Sequence, residues 1–540
     1  MTAPLSRTFF DLLREQAAAQ AKATAIIFDE RSVTYGELHA KAVQVARALL
    51  QSGIQRGDRV GLLAGNCIEW LEIAFGAAAL GAVVVPMSTW AKPTELEYLM
   101  MDSQVKILFS VARFGRQDFA ETLSELVGGD ADVADGKRFP ALREIVVLGE
   151  AERGWTSYRS FVARAGEAAL PPPGSGASAA DDVFILYTSG STARPKAVRV
   201  VHYAALENGF NIGERQKLSP ADRVLVSPPL FWIYACGNAL PAAFTHGATL
   251  VLQSQFDADE ALDLIERHRC TSIYTLPVMT GALVRSERFN PRRTASLRTG
   301  LTIGSAADVE VAAKTLGAAQ ICNIYGATEV YGNCCVTPCD WPLERRMACQ
   351  GPPLPGVTIR IVDPMTRKPV GVGEVGEAEI KGYRTPGYAG ASAEHNAATF
   401  TEDGYFRSGD LAFLDHDGFF HFASRSSEII KRAGINVSPA EIEEHLQRYE
   451  GVAQVGVVGA PDQEKGEIIV AFVVPRGQAK LDTEAIKQYC RSRLSSYKVP
   501  DRVEVCASLP ITETGKLARR QLKDLARSVI PQNGRRVSNG

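Results

Sequence analysis

The most informative stretch of this chain is Ile185-Leu186-Tyr187-Thr188-Ser189-Gly190-Ser191-Thr192-Ala193-Arg194-Pro195-Lys196. An apolar run typical of a strand ends in hydroxyl residues around one glycine, followed by proline and lysine. Such a loop can direct backbone N–H groups, hydroxyls and an ammonium group at a polyphosphate. It is not a Walker A loop, because Lys196 lacks the preceding glycine and the following Ser or Thr. A polar surface loop is the alternative interpretation.

The region around this loop predicts an α/β fold. Short β-branched runs alternate with helical stretches, which favours βαβ units and a mostly parallel sheet. The runs are Arg59–Ala64, Val105–Ser110, Glu144–Leu148, Thr249–Gln253 and Ser272–Leu276. Residues 73–87 are predicted to form a buried helix that leads into a strand. From Gly351 to Ile380 many glycines and prolines interrupt strand-like runs, which indicates a β subdomain.

A composition break at residues 423–428 predicts a domain boundary. We expect a large N-terminal domain over residues 1–424, containing parallel α/β subdomains and the β subdomain. A small, mobile α+β domain is expected over residues 425–540. Ser438 and Glu441 form a capping-box pattern with Pro439 at the first helical position, so Glu441 is given a structural role.

Composition narrows the functional classes. The chain has 540 residues and a net charge of −2, so no basic field favours nucleic acid as a partner. Ten scattered cysteines indicate a reducing cytoplasm. Cys334, Cys335, Cys339 and Cys349 cluster without a CxxC pair, so packing is favoured over a zinc site. No signal peptide and no membrane-spanning segment are predicted.

A second motif, Tyr325-Gly326-Ala327-Thr328-Glu329, follows an apolar run. The aromatic ring could stack on a purine, and Gly326 would let the backbone approach a ligand closely. The Thr328 hydroxyl and the Glu329 carboxylate suit phosphate and Mg²⁺ respectively. A turn with a solvated glutamate is the alternative.

Three further residues complete the pattern. Asp410 follows a glycine in Gly404–Leu411, and its carboxylate could accept both hydroxyls of a ribose. Arg425 lies at the composition break, where a surface ion pair is the alternative. Lys516 follows a flexible Thr-x-Thr-Gly segment, where a mobile cation suits charge developing on a phosphate and a carboxylate together. An ordinary exposed lysine is the alternative there.

These segments, in this order, resemble the adenylate-forming superfamily of acyl- and aryl-CoA synthetases, luciferases and peptide-synthetase adenylation domains. The resemblance extends from about Phe9 to Leu522. It implies that ATP phosphates contact Thr188, Ser189, Gly190, Ser191, Thr192 and Lys196. It also implies three catalytic residues: Thr328, Glu329 as the Mg²⁺ ligand and Lys516 for adenylation. Tyr325 and Gly326 are implied at the nucleotide, and Asp410 and Arg425 at the ribose. The segment Gly304-Ser305-Ala306 is similar to the small-residue lining of the adenine and acyl sites.

The resemblance further implies two half-reactions. The carboxylate attacks the α-phosphate of ATP and displaces pyrophosphate, and a thiol then attacks the acyl-adenylate. The small domain would rotate between the two steps, bringing Lys431 and Gly434 to the thiol side. The chain departs from the family pattern at Ala193, Ala197, Ser424 and Ser427, of which Ser427 occupies the usual hinge position. No departure removes a charged catalytic group.

The acyl pocket is expected at Phe231–Asn238, with Trp232, Tyr234, Cys236 and Ala327 as lining residues. No aspartate lies between Leu230 and Pro241, which argues against an amino-acid substrate. The segment looks similar to that of benzoate-type CoA ligases, and its bulky aromatic side chains favour a compact aryl or a short or medium acyl acid. Packing of these aromatics in the core is the alternative.

The predicted function is therefore an AMP-forming carboxylate–CoA ligase that uses ATP, Mg²⁺ and coenzyme A. No carrier-protein domain follows the small domain, which favours CoA as acceptor. Two alternatives are a stand-alone adenylation enzyme that loads a carrier protein and a non-catalytic nucleotide-binding protein. The expected partners are small molecules, and a homodimer is also allowed.

Overall fold

The computed structural model describes residues 8–128, 138–151, 153–167, 170, 176–188, 195–390, 393–425, 428, 430–432, 435–462, 465–494, 498–512 and 516–529. The chain divides into two compact units. Unit 1 comprises residues 1–359, 379–407 and 418–420, and unit 2 comprises residues 360–378, 408–417 and 421–540. This division differs from the boundary expected at 424/425, which stays a prediction.

Unit 1 contains two large sheets, and most of their strand pairs are parallel, as expected. The first has the order β17-β16-β15-β14-β12-β13-β1-β2. Its strands are β1 (Thr24–Phe28), β2 (Arg31–Thr34), β12 (Arg223–Val226), β13 (Thr249–Leu252), β14 (Ser272–Tyr274), β15 (Thr299–Thr302), β16 (Gln320–Tyr325) and β17 (Cys335–Val336). Only β1/β2 and β16/β17 pair antiparallel within this sheet.

The second sheet has the order β11-β10-β4-β3-β5-β8-β9. Its strands are β3 (Arg59–Leu63), β4 (Val83–Met87), β5 (Ile107–Ser110), β8 (Glu144–Val147), β9 (Thr156–Ser157), β10 (Asp182–Thr188) and β11 (Lys196–Val201). Only the β10/β11 pair is antiparallel. A separate hairpin consists of β6 (Arg113–Phe114) and β7 (Gln117–Asp118).

Thirteen α-helices lie in the described part of unit 1. They are α1 (Phe9–Gln20), α2 (Tyr35–Gln51), α3 (Ile68–Leu80), α4 (Pro93–Ser103), α5 (Phe119–Val127), α6 (Tyr158–Ala163), α7 (His202–Gln216), α8 (Leu240–Thr245), α9 (Ala258–His268), α10 (Pro277–Arg285), α11 (Ala306–Glu310), α12 (Leu343–Ala348) and α13 (Ala393–Thr399). Helix α3 is buried along almost its whole length and leads into β4. This confirms the helix and strand expected over residues 73–87.

A further four-stranded sheet has the order β18-β19-β20-β21. Its strands are β18 (Thr358–Val362), β19 (Gly376–Lys381), β20 (Phe406–Leu414) and β21 (Phe420–Arg425). The strands β18 and β19 lie in the region where glycine and proline interrupt strand-like runs, so the strands expected there are found. Asp410 lies on β20 and Arg425 ends the neighbouring strand β21.

The rest of unit 2 has the expected α+β composition. Its sheet has the order β23-β22-β25-β24, with β26 paired to β25. Its elements are β22 (Ile430–Arg432), β23 (Ile435–Val437), α14 (Pro439–Gln447), β24 (Val452–Asp462), β25 (Gly466–Pro475), α15 (Thr483–Arg491), β26 (Arg502–Val505) and α16 (Arg519–Val529). Its apolar core packs α14 and α15 against β24 and β25 through Ile442, Ile486 and Val457.

The predicted capping box at α14 is wrong. Ser438 is the N-cap residue, but its side chain makes no capping hydrogen bond; instead its hydroxyl donates to the Ala423 carbonyl at 3.3 Å. Glu441 forms an ion pair with Lys498 at 2.6 Å. The structural role assigned to Glu441 therefore persists, but through a lysine that is distant in sequence.

Candidate active site

The predicted phosphate loop connects the two strands of a hairpin at one edge of the second sheet of unit 1. Thr188, at the end of β10, pairs with Lys196, at the start of β11. Ser189, Gly190, Ser191 and Thr192 lie outside the described residues, as does Ala193. Ala197 lies within β11 and pairs with Tyr187. The antiparallel pair therefore fixes both ends of the loop.

Helix α4 holds the base of this hairpin. The Tyr187 hydroxyl donates a hydrogen bond to the Asp102 carboxylate at 2.6 Å. Tyr98, one turn earlier on α4, packs edge-on against Tyr187 with 6.4 Å between ring centroids. Burial, followed by the hydrogen bond and charge of Asp102, raises the pKa of Tyr187 well above its usual range. The phenol therefore remains a hydrogen-bond donor at neutral pH.

Lys196 and Glu329 are brought to the same side chain, Tyr388. The Lys196 Nζ atom lies 5.1 Å from the centroid of the Tyr388 ring, a distance suited to a cation–π contact. The Tyr388 hydroxyl donates to Glu329 Oε1 at 2.9 Å. Sequence reasoning missed Tyr388, because the segment Pro386-Gly387-Tyr388 shows only turn character and lies far from both partners in the chain.

Glu329 lies on a short 3₁₀ turn, Thr328–Val330, which is separated from the end of β16 by two residues. The Glu329 carbonyl accepts the Thr385 N–H at 2.7 Å. Tyr325, at the end of β16, stacks on Phe420 with 4.1 Å between ring centroids and 22° between the planes. One face of the Tyr325 ring is thus covered by protein, so a purine would have to use the opposite face.

The glycine of this motif has a structural reason that differs from the expected one. A Cβ atom at Gly326 would lie 1.9 Å from the Gly332 carbonyl oxygen and 2.7 Å from Asn333 Cα. The close approach is therefore to the chain's own backbone. Gly332 has φ of +88°, and a Cβ there would lie 2.1 Å from Asn238 Oδ1.

Buried amides fix the segment that follows Glu329. Asn208 of α7 donates to the carbonyls of Tyr331 and Asn333 at 3.0 and 3.1 Å. Asn238 donates to the Tyr331 carbonyl at 2.6 Å, and the Val201 N–H donates to the Tyr331 hydroxyl oxygen at 3.1 Å. The loop that carries Glu329 is therefore bonded directly to α7 and to the turn that carries Asn238.

That turn is a π-helical segment, Tyr234–Ala239, which runs into α8 and contains two of the expected acyl-pocket residues. The Tyr234 hydroxyl donates to the Leu301 carbonyl at 2.9 Å and approaches that of Thr275 at 3.2 Å. Burial raises the pKa of Tyr234 far above its usual range. Cys236 is fully buried in the main apolar core, and burial likewise raises its pKa.

Trp232 belongs to an aromatic cluster that sequence reasoning did not find. Its ring lies edge-on to Trp90, with 5.3 Å between centroids and 80° between planes. Phe231 lies edge-on to Trp90 at 5.4 Å. Trp90 precedes α4, far from Trp232 in sequence, and no local motif singles it out. Trp232 is only half-buried.

The small-residue segment begins a helix. Ser305 caps α11 in a complete capping box with Asp308. A Cβ atom at Gly304 would lie 2.6 Å from the Asp308 carboxylate, and Ala306 is the first residue of the helix. The S-x-x-D pattern of Ser305 and Asp308 was a local signal of this helix start that could have been recognised in the sequence.

Five expected site residues belong to unit 2: Asp410, Arg425, Lys431, Gly434 and Lys516. Asp410 is 5% exposed, and its own N–H donates to the Ser408 hydroxyl at 3.1 Å. Arg425 and Lys431 lie on strands, but their side chains fall outside the description, as does Gly434 entirely. Ser424 is buried, and Ser427 lies outside the described residues.

Lys516 is exposed and lies three residues before the start of α16. The Thr512 N–H donates to the Lys516 carbonyl at 2.7 Å, and the Lys516 N–H donates to the Thr512 hydroxyl at 3.1 Å. Ile511 and Leu517 form an antiparallel bridge. The backbone of Lys516 is therefore fixed by its hydrogen bonds with Thr512.

The cysteine cluster shows no metal-binding arrangement in the part of the chain that is described. Cys334, Cys335, Cys339 and Cys349 are all buried, and each is a thiol rather than half of a disulfide. No group of three or more His, Cys, Asp or Glu residues there could hold a metal ion. None of the helices described combines the length and apolar character that a membrane crossing requires.

Comparison with known proteins identifies the class to which this fold and these motifs belong. Residues 13–388 match the model of the AMP-binding enzyme family, and residues 441–516 match its AMP-binding enzyme C-terminal domain. The chain therefore belongs to the AMP-binding enzyme family, as one of its AMP-forming acyl- and aryl-CoA ligases. The superfamily, fold class and acid–thiol ligase activity expected from the sequence are confirmed.

Individual relatives agree with this assignment. The chain is 32% identical over 517 residues to acyl-CoA ligase SID4 of Ajellomyces capsulatus, covering 92% of this chain and 87% of the relative. It is 31% identical to a feruloyl-CoA synthase of an Amycolatopsis species, covering 94% and 97%. A crystal structure of the anthranilate CoA ligase AuaEII with anthranoyl-AMP matches with TM-score 0.84 and 27% identity, covering 97% and 98%.

Proposed function

We propose that this ligase activates a compact aryl or short to medium acyl acid and transfers it to coenzyme A. The observation that carries the proposal is the Trp90–Phe231–Trp232 cluster next to the π-helical turn of Tyr234. Three large rings fix the local volume because each edge-on contact orients its neighbour. A long acyl chain would have to displace them. Relatives named for feruloyl and anthraniloyl substrates support an aromatic acid.

For the first half-reaction we propose that Lys196 and the 188–192 loop hold the ATP phosphates. The carboxylate oxygen of the acid attacks the α-phosphorus, and the bond to the bridging oxygen breaks so that pyrophosphate leaves. Among the residues described, Lys196 has no carboxylate partner, which leaves its charge for phosphate. Lys516 is proposed to stabilise the negative charge that develops on the reacting groups.

Glu329 is the residue proposed to hold Mg²⁺. A carboxylate oxygen is the hard ligand that this ion prefers, and Glu329 is half-buried on a turn fixed by hydrogen bonds. When bound, the ion would neutralise phosphate charge. Thr328, directly before it, is proposed to contact phosphate through its hydroxyl. Tyr325 and the Gly304–Ala306 segment are assigned to the adenine, and Asp410 and Arg425 to the ribose.

In the second half-reaction the thiolate of CoA attacks the acyl carbon and AMP leaves. Lys431 and Gly434 are proposed to serve this step. The small domain over residues 425–540 is proposed to alternate between the two half-reactions. Cytoplasmic localisation and a homodimer stay predictions.

A panel of acids tests the substrate proposal. Pyrophosphate release is measured for benzoate-type, cinnamate-type, short-chain and long-chain acids, each with and without CoA, and thioesters are identified by mass. Compact acids should give the highest kcat/KM and a thioester only with CoA. Preference for long chains would overturn the pocket assignment. Pyrophosphate release without thioester formation would favour a carrier protein as acceptor.

A further inference from the structure

Tyr388 connects two groups of the proposed active site that carry opposite charge. Its hydroxyl bonds to Glu329 Oε1, and its ring lies beneath the Lys196 ammonium group. The side chain is 6% exposed. Neither the sequence motifs nor the family comparison assigns this residue a role.

The backbone around Tyr388 is bonded on both sides. Val198 of β11 forms an antiparallel bridge with Tyr388, and the Ala389 N–H donates to the Ala197 carbonyl at 2.8 Å. The Tyr388 N–H donates to Asn396 Oδ1 at 3.2 Å. Thr385, three residues earlier, donates to the Glu329 carbonyl. The phenol is therefore held in register with β11 and with the Glu329 turn at once.

These contacts leave part of each charged group available to a ligand. Among the described residues, Glu329 Oε1 is bonded to the phenol while Oε2 has no hydrogen-bond or ion-pair partner. Lys196 contacts the aromatic face of Tyr388 and has no carboxylate partner among the described residues. A direct Lys196–Glu329 ion pair would have to break before ligands could bind. The phenol replaces that pair by two weaker contacts, each of which orients its partner.

We propose that Tyr388 is a positioning residue that holds Glu329 ready for the metal ion and Lys196 ready for phosphate. This inference rests on the proposed roles of Glu329 and Lys196.

The test uses Tyr388→Phe and Tyr388→Leu in the full chain. Calorimetry without acid measures binding of ATP with Mg²⁺ and of ATP with a chelator. Tyr388→Phe keeps the ring, so it should weaken Mg²⁺·ATP binding about tenfold, as expected for a hydrogen bond to a charged group, and leave metal-free ATP within about twofold. Tyr388→Leu also removes the aromatic face and should weaken both.

Tyr158→Phe is the matched control. Tyr158 also donates its hydroxyl to a carboxylate, Glu72 Oε2, at 2.6 Å, but at α6 and α3, away from Lys196 and Glu329. It should leave both affinities unchanged. A loss in Tyr158→Phe equal to that in Tyr388→Phe would overturn the proposal, as would wild-type Mg²⁺·ATP affinity in Tyr388→Phe.

A third variant separates this inference from the proposed function. Glu329→Gln should lose the gain in ATP affinity that Mg²⁺ gives. If Glu329→Gln loses it and Tyr388→Phe does not, only the positioning role is wrong. If Glu329→Gln keeps it, the metal assignment and the positioning role both fail. Melting temperatures measured in parallel restrict the comparison to folded protein.

Discussion

His202, the first residue of α7, should make the stability of unit 1 fall as the pH is lowered from neutral. The side chain is fully buried, and its Nδ1 accepts the Phe9 N–H at 3.2 Å. Among the described residues Nε2 has no partner. Burial lowers the pKa of His202 from 6.5 to about 4, an effect only partly opposed by Asp181.

The difference between the pKa of His202 in the folded and in the unfolded chain fixes the sign and the size of the change in unfolding free energy. Between these two pKa values the unfolded chain binds a proton that the folded chain does not, so the free energy of unfolding decreases as the pH falls. The full stabilisation, present above the unfolded pKa, is about 3 kcal/mol, since each pKa unit corresponds to about 1.4 kcal/mol. From about pH 7 to about pH 5, about 2 kcal/mol of it should be lost.

Tryptophan fluorescence during urea unfolding is a suitable assay, because all five tryptophans of the chain belong to unit 1. The wild type is compared with His202→Gln at several pH values. The variant should have the shallower pH dependence, by about 2 kcal/mol over that interval. Above about pH 7 the unfolding free energies of the two proteins should show the same dependence on pH. Equal slopes in the acidic range would refute the reasoning.

Three further predictions concern activity. Trp232→Ala should extend the range of accepted acids to longer or bulkier ones, with little change in the KM for ATP. The change in acid preference should be graded, at about 1–3 kcal/mol per methylene. Trp341→Phe is the control, and an unchanged acid preference in Trp232→Ala would place Trp232 outside the pocket. Lys516→Ala should slow adenylate formation on the order of 100-fold but leave thioester formation from supplied acyl-adenylate unchanged. Lys480 is also exposed, and Lys480→Ala should alter neither step. An equal loss of both steps in Lys516→Ala would contradict separate half-reactions. Glu329→Gln should lower Mg²⁺-dependent turnover much more than the melting temperature, and a collapsed melting temperature with normal activity per folded molecule would make Glu329 structural.

Elements with a regular local pattern could be predicted from the sequence. The run Arg59–Ala64 is seen as β3 (Arg59–Leu63), because a buried parallel strand needs a continuous apolar stretch. The Tyr325–Glu329 motif could be placed at the end of a strand for the same reason. Order and spacing of motifs were sufficient to indicate the family.

Contacts that join distant segments could not be predicted. Tyr388 meets Glu329 across 59 residues, and nothing in its immediate sequence reports that partner. The two capping patterns show the same limit. Ser305 and Asp308 form the capping box that their spacing allows. Glu441 instead forms an ion pair with Lys498. Similar local patterns can thus be satisfied at one helix and overridden by tertiary contacts at another.

The pairing of residues 387–389 with β11 should also limit aggregation of the protein. β11 is the last strand of its sheet, and an unpaired edge strand is a template on which another chain can add. The Arg199 N–H bonds to the Gly387 carbonyl and the Ala389 N–H to that of Ala197, so part of this edge is already occupied. Variants that detach this segment should therefore form oligomers or precipitate, because they expose β11 to neighbouring molecules.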